Sequence, residues 1–161
     1  MRNSQLSKRL RAVAFATLCA FVIPWNGFAS AEDSLSKTAE GLSVYIGIIP
    51  AEIVKGHLPG HPEKTMHGGA PTSGRASHLV AAIFDAASGA RVSDATVTAQ
   101  ISGLGLSGTR KTLDAMEIAN TVSYGGYFNL PGRDLYTVRL TIQRPGQPKP
   151  ASLEFKYDRR R

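Results

Sequence analysis

Three stretches of this chain alternate apolar and polar residues with a period of two. Ala95, Val97, Ala99 and Ile101 alternate with Thr96, Thr98 and Gln100. Tyr136, Val138, Leu140 and Ile142 alternate with Thr137, Arg139 and Thr141. Leu153, Phe155 and Tyr157 alternate with Ser152, Glu154 and Lys156. Successive side chains of a strand point to opposite faces, so each stretch reads as a strand with one face buried and the other wet. HLVAAIFD, from His78 to Asp85, is apolar on both faces and reads as a central strand, and LSVYIGII, from Leu42 to Ile49, opens the series. Ala51 to Val54 is either a short continuation or a turn. Thr121 to Leu130 is aromatic, and its Gly125-Gly126 pair predicts a bulge or a tight hairpin. Lys111 to Ile118 (KTLDAMEI) suits a helical turn by composition and a strand by its neighbours. Turn signals at Ala86–Gly89, Gly103–Thr109, Pro131–Asp134 and Arg144–Gly146 separate the elements. About seven short strands spaced this way predict an all-β chain, an immunoglobulin-like antiparallel β-sandwich, with a partly open barrel as the alternative.

The N-terminus follows a different pattern. Arg2, Lys8, Arg9 and Arg11 precede an apolar run from Ala12 to Ile23, which Pro24 ends, and Ala29-Ser30-Ala31 offers small residues on either side of a cleavage position. This is the layout of a secretory signal peptide, residues 1–31, cut after Ala31; the apolar run is short for a membrane span. Cys19, the single cysteine, lies in that run, and Leu18 before it spoils a lipobox. The processed chain then has no thiol, no disulfide and no Cys nucleophile, which suits a bacterial periplasm. Processing removes four cations and no carboxylate, taking the net charge from +7 to +3. A basic patch exported to the periplasm meets no nucleic acid, so a nucleic-acid partner is not expected, nor is stable membrane insertion after processing. The expected organisation is a polar, disordered linker over 32–40, then one domain over 41–158. About 130 processed residues suffice for a real core.

One long loop interrupts the domain, over 55–77. It is rich in Gly, Pro and Ser and holds His57, His61, Met66 and His67, with His78 at its far end. Structureless loops this long are uncommon in small domains unless they serve a function or are disordered. Thioether and imidazole are soft and borderline donors that suit copper, Cu(I) above all. The sharpest ligand set is Met66, His67, His78 and Met116. Met66 and His67 are adjacent donors on the loop; Met116 can join them only through the fold. The donor types are similar to those of periplasmic copper chaperones with His-Met-rich sites, without their full spacing. His57 and His61 have the i, i+4 spacing of helical zinc ligands, but Pro59 and Gly60 between them oppose a helix. They read as auxiliary ligands or polar loop residues. The alternative to a copper site is that Met116 is core and the loop histidines are solvated.

The order HLVAAIFD, SGARVSDATVTAQI, LDAMEI and SYGGYFNLPGRDLYTVRLTIQRPG resembles the small periplasmic immunoglobulin-like domains of the YtkA-like and FixH-like group. Asp85, Gly89, Val92, Asp94, Ala95 and Val97 carry the corner of that pattern, and the match spans about residues 78–146. The resemblance implies a periplasmic module of the kind found beside copper or cytochrome oxidase maturation. Its motifs are turn and core residues, and the His-rich loop lies outside them.

Catalytic signatures are missing. Ser73, Ser77 and Ser88 sit in no G-x-S-x-G elbow. GLGLSG from Gly103 precedes no helix and reads as a hairpin loop rather than a phosphate cradle. Tyr124, Tyr127 and Phe128 read as core or edge residues, with an exposed aromatic patch as the alternative. The expectation is therefore a non-enzymatic protein with no catalytic and no organic-cofactor residues. It would bind or hand on copper, with a donor or acceptor protein in the envelope as partner. The alternative is a metal-free interaction module that docks a membrane or envelope partner.

Overall fold

The computed structural model describes residues 35–56 and 68–160. Eight strands and one helical turn follow in order: β1 Ser36–Ala39, β2 Leu42–Pro50, α1 Ala51–Lys55, β3 Ala76–Asp85, β4 Thr96–Gly103, β5 Thr109–Ile118, β6 Thr121–Asn129, β7 Leu135–Gln143 and β8 Ala151–Asp158. All pairings are antiparallel, in the order β1-β2-β3-β6-β5-β4-β7-β8. The alternating stretches form β4, β7 and β8, and the doubly apolar HLVAAIFD lies in β3 between β2 and β6, where both of its edges are paired.

The two layers share one strand. The first half of β5 pairs with β4, from Thr109↔Ile101 to Leu113↔Val97. Its second half pairs with β6, from Asp114↔Gly125 to Ile118↔Thr121. At the fork, the Lys111 ammonium donates to the Tyr127 carbonyl at 2.7 Å, bridging the gap that opens between β5 and β6. On the opposite side, side chains tie the edge strands β1 and β8. Lys37 Nζ donates to the Glu154 carbonyl at 3.3 Å, and the Ser152 N–H donates to Glu40 Oε2 at 2.9 Å. The sandwich is thus closed by a shared strand on one side and by clasped edges on the other.

Between the layers lies one core. Leu42, Val44 and Ile46 of β2, Leu79, Ala81 and Ile83 of β3, and Val97, Ala99 and Ile101 of β4 fill it. Tyr124 and Phe128 of β6, Val138, Leu140 and Ile142 of β7, and Leu153 and Phe155 of β8 complete it. In β2, β3, β4, β7 and β8 these are every second residue, as the alternation predicts. Tyr124 is anchored as well as buried: its hydroxyl accepts from the Ala95 N–H at 3.0 Å and donates to the Val92 carbonyl at 3.3 Å.

Two expectations change and two open alternatives are decided. Residues 36–39, placed in a disordered linker, form β1: Ser36–Ala39 has the edge of β2 to pair with, which local composition cannot reveal. The Gly125-Gly126 pair makes neither bulge nor hairpin; it sits inside continuous β6, with neither glycine in the left-handed region. KTLDAMEI belongs to a strand, β5, because partners on both sides override a helix-compatible composition. Tyr124, Tyr127 and Phe128 are buried, in keeping with the core reading and against the exposed patch. Residues 51–55 are the helical turn α1, and Ala76 and Ser77 already belong to β3. The signal peptide of residues 1–31 lies outside the described residues. Among the described residues, no helix is long and apolar enough to cross a membrane.

Candidate metal centre

The odd-numbered residues of β3 face the core, so the even-numbered ones face away from it. Ala76 and His78 share that outer face with Tyr127 and Gly125 of β6, through the register His78↔Tyr127 and Val80↔Gly125. Asp114↔Gly125 and Met116↔Ser123 bring Asp114 and Met116 of β5 onto the same face. An outer face is normally wet, yet His78 is 0% exposed and Met116 3%.

The cover comes from the excursion between β2 and β3. α1 turns back over the outer face, and Ala51, Ala70, Ala76 and Tyr127 form a second apolar cluster there. The returning segment lies against α1: a Cβ on Gly74 would stand 2.9 Å from Glu52 Oε1. It is pinned to β6 where the Leu130 N–H donates to the Arg75 carbonyl at 2.9 Å. The His78 ring stacks on Tyr127, with centroids 4.6 Å apart and planes inclined by 29°.

Beneath this cover the thioether and the imidazole meet. A Cβ on Gly125 would lie 2.8 Å from Met116 Sδ and 3.0 Å from His78 Nε2. Both donor atoms therefore reach the space that a side chain at Gly125 would occupy. Residues 38 apart in sequence are joined because β3 and β5 flank β6 at this glycine. Thioether sulfur and imidazole nitrogen are a donor pair for a soft or borderline transition ion, and burial keeps competing water away.

Of the four sequence-predicted ligands, His78 and Met116 are brought together. Met66 and His67 lie outside the described residues, as do His57 and His61. The chain leaves the described structure at Gly56, after α1, and re-enters it at Gly68, just before Ala70 of the cluster over Tyr127. Among the described residues no three His, Cys, Asp or Glu side chains gather as a metal cluster. Sequence reasoning missed two contributors: Gly125 and Tyr127. Gly125 was misread for want of its neighbours: a strand glycine serves a close approach as readily as a bulge.

Several solved structures share the fold. A DUF4426 family protein from Pseudomonas aeruginosa PAO1 superposes with a TM-score of 0.57 at 14% identity, covering 76% of this chain and 91% of that one. A copper-bound variant of FetP from uropathogenic Escherichia coli gives 0.57 at 15% identity, covering 77% and 93%. A copper-bound variant of the Campylobacter jejuni protein P19 gives 0.54 at 15% identity, covering 76% and 92%. Likeness at this identity concerns the fold. No protein-family model matches the chain, and a search of curated proteins finds no match.

Proposed function

We propose that this protein is a non-enzymatic, copper-handling β-sandwich of the bacterial periplasm. Met116 and His78 would hold Cu(I), with Met66 and His67 of the 55–77 loop completing the set. The observation that carries the reading is the convergence of Met116 Sδ and His78 Nε2 on the space above Gly125. The donor set fits the ion: thioether selects Cu(I), and imidazole serves either oxidation state. Bound copper would supply nothing but itself, as cargo for a donor or acceptor protein in the envelope. The stacked Tyr127 ring orients the imidazole, and the lack of a side chain at Gly125 lets Met116 and His78 approach one another. Copper-bound proteins of the same fold, FetP and P19, lend support. The kinship with YtkA-like and FixH-like domains rests on the corner residues Asp85 to Val97 and points to the same compartment.

A second reading is a metal-free interaction module. The observation in its favour is the apolar cover itself: Ala51, Ala70, Ala76 and Tyr127 give this face a packing role without any ion. Competition against a Cu(I) chelator, run beside thermal melts, separates the two. Under the copper reading, Met116→Ala and His78→Ala lower Cu(I) affinity, and Met116→Ala affects Cu(II) less. Under the packing reading, Met116→Ala costs about 2–5 kcal/mol of stability and affinity is absent throughout. Wild-type protein that takes no Cu(I) from even a weak competitor ends the copper reading.

A further inference from the structure

One end of the sandwich carries an apolar tip that the metal site does not use. The β4–β5 hairpin loop presents Leu104, 82% exposed, and Leu106, 68% exposed, the most exposed large apolar side chains among the described residues. Their display is built into the backbone. Gly105 and Gly108 hold φ of 72° and 74°, in the left-handed region that glycine occupies without strain. A Cβ on Gly108 would also stand 2.7 Å from the Ser102 Cα, so the tight return of the loop requires glycine. The Leu106 N–H donates to the Gly103 carbonyl at 3.2 Å, and Gln100 Nε2 to the Ser107 carbonyl at 2.7 Å, fixing the loop to β4.

Positive charge stands at the same end of the sandwich as the tip. The β6–β7 turn lies beside it, with Asp134 Oδ2 3.7 Å from where a Gly103 Cβ would be. The chain's end lies beside that turn, where the Arg159 N–H donates to the Asp134 carbonyl at 3.0 Å and Arg159 Nη1 to the Gly132 carbonyl at 3.0 Å. Arg110, Arg133, Arg159 and Arg160 therefore share this end with Asp134 and Asp158. Arg160 and Asp158 neutralise one another across 2.8 Å. The guanidinium of Arg159 donates to backbone carbonyls. Three arginines and one remaining carboxylate, Asp134, are thus left at the end that carries the two exposed leucines.

We infer that this tip docks on an anionic lipid surface, with Leu104 and Leu106 entering the interface, Arg110 and Arg133 meeting the headgroups and Arg159 adding its charge to the same end. Charge complementarity selects the occupant. A second copy docking by the same tip would face arginine against arginine, which a twofold contact cannot relieve. A protein partner of either charge needs a broad complementary patch, whereas a bilayer accepts a narrow apolar protrusion accompanied by cations. Two leucines and a few cations give weak, reversible attachment, strengthened by anionic lipid and screened by salt. The inference stands apart from the copper reading, since it uses none of the same residues.

The test places an environment-sensitive thiol probe on the full chain at Leu104→Cys in a Cys19→Ser background. A matching probe at Gln147→Cys, on the opposite end of the sandwich, serves as control. Each is titrated with vesicles of phosphatidylglycerol and phosphatidylethanolamine, and with phosphatidylcholine alone. The expected result is a blue shift and quenching by brominated acyl chains at position 104 only, and only with anionic vesicles. Arg110→Glu with Arg133→Glu should weaken the response at least tenfold. No shift at position 104, or an equal response on phosphatidylcholine, overturns the inference. So does a doubled mass in sedimentation that Leu104→Ser returns to monomer, which would assign the tip to a second copy. Binding of an acidic protein through position 104 without any vesicle response would likewise replace the lipid surface.

Discussion

Replacing Gly125 by alanine probes the joint between β3, β5 and β6 directly. The new Cβ would overlap the Met116 methyl most closely, and would stand 2.8 Å from Met116 Sδ and 3.0 Å from His78 Nε2. Carbon and its neighbours sit comfortably at about 3.5–4.0 Å, so one or both side chains must retreat by roughly 1 Å. His78 cannot yield easily: it is fully buried and stacked on Tyr127. Met116 has a flexible end and moves instead. Overpacking of this kind costs about 1–3 kcal/mol. Gly125 is outside the left-handed region, so alanine also narrows the unfolded ensemble and returns about 0.4–1 kcal/mol. The net expectation is a folded protein weakened by about 0.5–2 kcal/mol, with Tm lower by a few degrees. Copper affinity should fall at least tenfold, about 1.4 kcal/mol, because the thioether has left the shared space. The double variant Gly125→Ala/Met116→Ala removes the clash, so its stability loss should be smaller than the sum of the single losses. The assays are a thermal melt and a Cu(I) chelator competition on all three variants. A Gly125→Ala protein that melts with the wild type, or losses that add strictly, would refute the convergence of these side chains.

Two further outcomes test the frame. Val138 is fully buried in the core between β4 and β8, so Val138→Asp strands a charge there and should cost about 3–5 kcal/mol, visible as lost cooperative melting; a cooperatively folded variant would mean the inward face of β7 is misassigned. The carboxyl of Asp85 is lowered from 3.8 to about 2, first by the Ser88 backbone N–H, then by the Ser88 hydroxyl and the Arg144 guanidinium. A depressed carboxylate stabilises the fold above its unfolded pKa, so this contribution is whole above about pH 4 and is lost as pH falls toward 2. Ser88→Ala deletes one donor and should raise the Asp85 titration midpoint in a carboxyl NMR titration; an unmoved midpoint would show that the hydroxyl plays no part.

Strands were legible where a single neighbour relation decides them. Val97, Val138 and Phe155 announce their faces because one side of each strand meets core and the other meets water. Two relations were hidden because they are set by distant partners. Ser36–Ala39 is polar enough to read as a tail, and only the free edge of β2 makes it a strand. Lys111–Ile118 is read through its partners as well, since one half answers to β4 and the other to β6. The metal candidates divide the same way. Residue types singled out His78 and Met116, but their meeting depends on β6 lying between β3 and β5 and on a missing side chain at Gly125. Nothing within a few positions of either residue carries that information.

The strand shared by both layers also governs how the molecule can open. Because β5 completes β4's ladder with one half and β6's with the other, neither layer can keep all its hydrogen bonds once the other has come apart. The two layers therefore form a single cooperative unit rather than two that fray independently. Free energy supplied at one layer is then distributed over both. An ion held at the outer face beside Gly125, as proposed, would then slow amide exchange in β7 and β8, strands that never touch it.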